Sequence, residues 1–173
     1  MASQINSRSF SMLFLTISLI LVGSKTGTAQ PGISPFCQTA DNKQLCTRVV
    51  NGATNQHDAA VNAVTEALTV AKQIQELTPE VVQSTVGLDP NTKTELVQDC
   101  TESFANTIDD LNLAVESLNK GDLGSAGTRL SASYDSACAE SLKERGIHIF
   151  SMDKLNDNFG KLMDTAMAVL FNN

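Results

Sequence analysis

The sequence predicts an all-α protein, an antiparallel up-and-down four-helix bundle with a short N-terminal helical hairpin and two disulfides. Three observations carry that expectation. Apolar residues recur at helical spacing through four long segments, and the strict alternation that marks a half-buried strand is almost absent. Prolines stand only at Pro31, Pro35, Pro79 and Pro90, so the chain beyond Pro90 lacks the strongest helix breaker. Four cysteines follow a leader of the secretory kind, the context in which an even count reads as a disulfide framework.

The leader comes first. Met1 to Arg8 carries one positive charge and no acid, Phe10 to Val22 is almost wholly apolar, and Gly27 and Ala29 fit a small-x-small cleavage pattern. Residues 1–29 are therefore expected to be a signal peptide. The apolar run is short of the roughly 20 residues that span a bilayer, and no second run of that kind follows, so no membrane association is expected after cleavage. Residues 30–173, numbering 144, suit one domain with its own core. Cleavage removes Arg8 and Lys25 and no acid, leaving 10 basic against 19 acidic residues, a net charge of −9. Such a chain is a poor ligand for nucleic acid, whose phosphates demand clustered lysine and arginine, and a better one for a cationic partner. No Asn-x-Ser/Thr sequon occurs.

The stretch Pro35 to Ala53 holds Cys37 and Cys46 and is expected to form a small helical hairpin or appended turn. A first long helix is expected from about Asp58 to Leu77, with Val61, Val64, Leu68, Ala71 and Ile74 inward. Glu80 to Gly87, between Thr78-Pro79 and Asp89-Pro90, can add a short helix to the link. A second long helix should run from Asn91 or Thr92 to Asn119, its stripe Leu96, Cys100, Phe104, Thr107, Leu111, Val115 and Leu118 being close to a heptad seam. Lys120-Gly121-Asp122 then ends one helix and caps the next. The third is expected from about Leu123 to Lys143, with Leu130, Tyr134, Ala137 and Cys138 inward and Gly146 beyond its end. Ser151 is expected to cap the fourth, whose stripe is Met152, Leu155, Phe159, Leu162, Ala166 and Val169.

Helix geometry suggests the cysteine pairing. Cys37 and Cys46 are nine residues apart on one local element. Cys100 lies 21 residues before Gly121 and Cys138 lies 17 after it, which on antiparallel helices puts them within about one turn of the same height. This favours Cys37–Cys46 and Cys100–Cys138 over both crossed pairings. Chain entropy assigns the longer loop about 4 kcal/mol and the shorter about 2.5–3 kcal/mol.

Catalytic signals are thin. No Gly-x-Ser-x-Gly elbow, phosphate loop or His-Glu-x-x-His motif is present. No CxxC pair exists, and His57 and His148 are far apart in sequence, so neither a metal nor a cofactor is expected. His57 reads as a polar residue at a helix start and His148 as a loop residue. Asp109-Asp110 are adjacent on a helix and point in different directions, which suits a solvated face better than a shared substrate. The region around Gly124, Ser125, Ala126 and Gly127 is rich in small residues, which serve close helix packing on one side and leave a smooth surface on the other. No enzymatic activity is expected.

These features resemble the plant invertase and pectin methylesterase inhibitor family from about Pro35 to Leu170. The resemblance is carried by Cys37 and Cys46 with Leu45 before the second, by Leu96, Cys100 and Phe104, by Ala105, Ile108, Asp109 and Leu111, and by Gly121-Asp122 with Ser131-Ala132 and Cys138. It implies a four-helix bundle with an N-terminal helical hairpin, the first two cysteines paired and the last two bridging neighbouring helices. Phe104 stands where members often carry tyrosine. Invertase-inhibiting members are expected to carry Pro-Lys-Phe after the Gly-Asp, and here those places are Leu123, Gly124 and Ser125. The run from Cys100 to Leu111, with Ser131 to Tyr134, looks more like the pectin methylesterase inhibitors.

The resemblance therefore implies a secreted protein, located in the plant cell wall (the apoplast), that inhibits pectin methylesterase by covering its substrate cleft in a non-covalent stoichiometric complex. Acid invertase, of the cell wall or vacuole, is the alternative target. The expected contact residues are Asp99, Glu102, Ser103, Asn106 and Asp110 on the second helix, with Ser125, Thr128, Arg129, Ser133 and Asp135 on the third. Plant storage albumins and lipid-transfer proteins, also small, secreted and helical, typically use eight cysteines. Nothing specific points to a cytokine-like ligand.

Overall fold

The computed structural model describes residues 32–134 and 137–172; the expected signal peptide, residues 1–29, and Asp135 lie outside them. The chain forms a 3-10 turn at Pro35–Cys37, then α1 (Lys43–Val49), α2 (Gln56–Gln75), α3 (Thr78–Ser84), α4 (Pro90–Asn119), α5 (Leu123–Ser133), α6 (Ala137–Glu144) and α7 (Phe150–Leu170). No strand occurs among the described residues, and none of their helices is long and apolar enough to cross a membrane. In the bundle α2 packs against α7 and α4, α4 against α5 and α6, and α5 against α7.

Local chemistry places the helix ends. Asn55 caps α2 by accepting from the Asp58 amide at 2.9 Å. Asp89 caps α4 through the amides of Asn91 and Thr92, both at 3.1 Å, with Pro90 in the first turn, where a missing N–H costs nothing. Gly121, at φ +74°, adopts the left-handed exit that a side chain resists. It lets Asp122 N donate to Ser117 O at 2.9 Å and Gly121 N to Leu118 O at 2.8 Å, satisfying carbonyls the helix cannot. Asp122 then caps α5, accepting from Ser125 N at 2.9 Å and Ser125 Oγ at 2.6 Å.

The Ser125 hydroxyl, then the Ser125 amide, hold the Asp122 carboxyl below its ordinary value of 3.8. A carboxyl with a lowered folded pKa adds stability above its unfolded pKa and loses it as pH falls through the folded one. Asp122→Ala should therefore lower the melting temperature at pH 6 and flatten the fall in stability below about pH 4, read by thermal circular dichroism. An unchanged acid limb would show that the cap does not contribute to acid unfolding.

The expected stripes form the core. Leu96, Cys100, Phe104, Leu111 and Leu118 of α4 are buried, as are Met152, Leu162, Ala166 and Val169 of α7. In α2 the seam is richer in alanine than expected: Ala59, Ala60, Ala63, Ala67 and Ala71 are buried with Val64, Val70 and Ile74, while Val61 and Leu68 are only partly covered. Alanine favours the helix and lets neighbouring backbones come close. The disulfides are Cys37–Cys46 and Cys100–Cys138, the pairing expected from helix geometry.

Three local expectations are corrected. The third helix is two helices, α5 and α6, with a break after Ser133. Tyr134 is half exposed and Ala137 exposed, while Ser133 takes the inward place. A serine fits the close seam, and its hydroxyl is satisfied locally by donating to Leu130 O at 2.9 Å. The larger tyrosine keeps its polar end outside. Ser151 is not the cap of α7; Ile149 occupies that place without a side-chain hydrogen bond, and Ser151 Oγ donates to Glu80 Oε2 of α3 at 2.6 Å.

Candidate functional site

A shallow groove of about 550 Å³ runs where α4 faces α5 and α6. Leu113, Ala132 and Ala137 make its apolar part. Asp99, Glu102, Asp109 and Asp110 bring carboxylates to it, with Ser103, Asn106 and Thr107 between them. The one cation among its lining residues is Arg129, whose Nη1 lies 2.9 Å from Asp110 Oδ1 and joins α5 to α4. Four carboxylates against one guanidinium leave the groove strongly acidic. Gln98 Nε2 donates to Glu102 Oε1 at 2.8 Å, holding that carboxylate at the rim.

The period of α4 explains the grouping. Residues 102, 103, 106 and 110 stand three, four, seven and eleven positions after 99, so they form one face beside the buried stripe. Six of the ten expected contact residues line the groove: Asp99, Glu102, Ser103, Asn106, Asp110 and Arg129. Ser125 and Thr128 are exposed on α5 outside it, and both are engaged locally, Ser125 with Asp122 and Thr128 Oγ1 with Gly124 O at 3.0 Å. Ser133, expected outward, is corrected to the core at 1% exposure, so it offers nothing to a partner. Asp135 lies outside the described residues. Thr107, Asp109, Leu113, Ala132 and Ala137 also line the groove and were not among the expected residues; Asp109 and Asp110, expected to point in different directions, both reach it. A leucine off the buried stripe and three residues after Asp110 is the sequence signal for Leu113, which is 39% exposed in the structure.

Among the described residues no catalytic constellation accompanies the groove. His57 Nε2 lies 3.1 Å from Leu118 O and its Nδ1 3.3 Å from Asp58 Oδ1, so it ties the start of α2 to the end of α4. Among the described residues no group of three or more histidines, cysteines or acids is placed to hold a metal ion.

Tyr134, the sole tyrosine of a chain without tryptophan, stands between α5 and α6 and donates to Asp164 Oδ1 of α7 at 3.3 Å. Desolvation first, then the Asp164 carboxylate, pushes its phenol above the ordinary value of 10.0. Its phenolate absorbance should titrate above pH 10 in the folded protein, and Asp164→Asn should bring the midpoint back toward that value. An identical midpoint in the variant would show that Asp164 does not act on the phenol.

The family model described as plant invertase/pectin methylesterase inhibitor matches residues 32–169. The chain belongs to the plant invertase/pectin methylesterase inhibitor family. Members of this family are inhibitors rather than enzymes. Solved structures share the fold, among them two of pectin methylesterase inhibitors. One is a mutant form of a pectin methylesterase inhibitor from Arabidopsis, 19% identical with a TM-score of 0.63, covering 78% of this chain and 91% of that one. The other is a pectin methylesterase inhibitor from Arabidopsis thaliana, 20% identical with a TM-score of 0.59, covering 80% and 93%. No curated protein sequence matches the chain. Within this inhibitor fold, Leu123, Gly124 and Ser125 form the exposed first turn of α5 behind the Asp122 cap.

Proposed function

We propose that this chain is a secreted inhibitor of pectin methylesterase, acting by laying its α4–α5–α6 face across the enzyme's substrate cleft. The acidic groove carries this reading. An enzyme that works on polyanionic pectin is well served by a cationic surface, and an inhibitor of net charge −9 after loss of residues 1–29 is drawn to such a surface and repelled by the polymer. The absence of Pro-Lys-Phe after Gly121-Asp122 argues against the corresponding mode of entering an invertase. Residues 1–29 act as the signal peptide, and residues 30–173 form their two disulfides in the oxidising secretory route and work in the apoplast.

Inhibition needs no covalent chemistry. The bundle presents a rigid face, and ordering costs that would weaken binding are met during folding. Titration of a plant pectin methylesterase with the purified protein should abolish activity at close to one inhibitor per enzyme, with little effect on acid invertase. Saturating loss of invertase activity instead would reassign the target, and no effect on either would remove the inhibitor reading.

A further inference from the structure

Helix α6 meets the rest of the protein through essentially one neighbour. It buries two residues, Cys138 and Leu142, and packs chiefly against α4. Among the described residues it makes no side-chain hydrogen bond or ion pair to another element. Arg145 Nη1 donates to Ser141 O at 3.0 Å within the same segment, and Ile147 N closes its end on Leu142 O at 2.9 Å. A helix of two turns does not persist in water by itself. Among the described residues, what keeps α6 in place is the bond from Cys138 to Cys100 and the packing of its Leu142 face on α4.

The other disulfide sits in an element held by two neighbouring helices and by hydrogen bonds to the C-terminal end of the bundle. Around Cys37–Cys46, Thr39 Oγ1 donates to Ala168 O at 3.3 Å, Asn172 Nδ2 to Pro35 O at 3.2 Å, and Ser34 N to Thr47 Oγ1 at 3.0 Å. Helix α1 packs against both α2 and α7. All four cysteines are fully buried, so an attacking thiolate reaches either bridge only when the structure around it opens. Elements with fewer ties open more often.

We propose that Cys100–Cys138 is a redox-sensitive latch on α6, reduced by a dithiol well ahead of Cys37–Cys46, and that its reduction frees α6 while the bundle of α2, α4, α5 and α7 stays folded. One thiolate of the dithiol attacks an Sγ atom, the Sγ–Sγ bond breaks, and a mixed disulfide forms. The second thiol then displaces the remaining protein sulfur. The reductant leaves as its own disulfide, and two electrons and two protons pass to Cys100 and Cys138. Because Ala137 of α6 lines the acidic groove, release of α6 opens one of its walls. That consequence for inhibition rests on the function proposed above; the latch does not.

The test uses the purified oxidised protein and dithiothreitol, with each cysteine followed by alkylation and peptide mass spectrometry and each helix by amide hydrogen exchange. Cys100 and Cys138 should be labelled at least tenfold faster than Cys37 and Cys46. In the species with only that bridge reduced, exchange across Ala137–Glu144 should rise at least tenfold while α2 and α7 keep their protection. Leu142→Ala, which loosens α6 without touching either bridge, should accelerate labelling of Cys100 and Cys138 alone. Earlier or equal reduction of Cys37–Cys46 overturns the proposal, and so does simultaneous loss of protection in every helix. If α6 is freed and inhibition is unchanged, the latch stands and the docking face proposed above is wrong.

Discussion

Leu111→Ala is expected to lower the unfolding free energy by about 3–5 kcal/mol, the range for deleting most of a leucine from a close-packed interior. Leu111 has no exposed surface and lies on the buried stripe of α4, between Phe104 and Leu118. Helix α4 touches α2, α3, α5 and α6, so the hole cannot close by moving one neighbour. With net stabilities of roughly 5–15 kcal/mol for such domains, the loss removes a large share of the total. Urea unfolding followed by helical circular dichroism should show a lower midpoint with an unchanged slope. Leu113→Ala supplies the contrast on the same helix. Its side chain is 39% exposed in the groove, and its loss should change stability by under about 1 kcal/mol. Equal effects at the two positions would contradict the assignment of core and groove faces.

Neutralising the groove is expected to weaken inhibition while leaving the fold intact. The combined variant Asp99→Asn, Glu102→Gln and Asp109→Asn removes three of the four lining carboxylates and spares the Asp110–Arg129 pair that links α4 to α5. Exposed charges facing a partner contribute modestly each and act mostly on the rate of encounter. Together they should weaken inhibition by about tenfold to a hundredfold, mainly through slower association. The parent should lose affinity steeply between low and moderate salt, and the variant much less, because screening acts on charges that the variant lacks. Association kinetics at several salt concentrations read both effects. Matching rates and salt slopes in parent and variant would remove electrostatic steering from the proposed function.

Much of the fold was legible because the interactions that specify it are local. The exit at Gly121 needs only a residue free to adopt positive φ, and the cap at Asp122 only an acceptor three residues before Ser125. The height match of Cys100 and Cys138 follows from rise per residue and the position of one turn. The groove was legible in part for the same reason, since Asp99, Glu102, Ser103, Asn106 and Asp110 share a face by helical period. On α5 that reasoning was weaker. Glycine, alanine and serine give a faint apolar stripe, and Ser133 and Tyr134 differ by only one step of rotation.

The sequence by itself determined the all-helical class, the seam of α4, the turn at Gly121-Asp122 and the cysteine pairing, and it pointed to the inhibitor family. These depend on spacing along one chain. Only the tertiary structure decided that the third helix breaks after Ser133, that Ser133 rather than Tyr134 enters the core, and that Ser151 bonds Glu80 instead of capping its own helix. It also brought Arg129 onto Asp110 and set Asp109 and Leu113 beside Ala132 and Ala137. Such contacts depend on how far each helix turns about its axis and slides along its neighbour. Packing of both partners sets those quantities, and the period of either helix alone does not contain them.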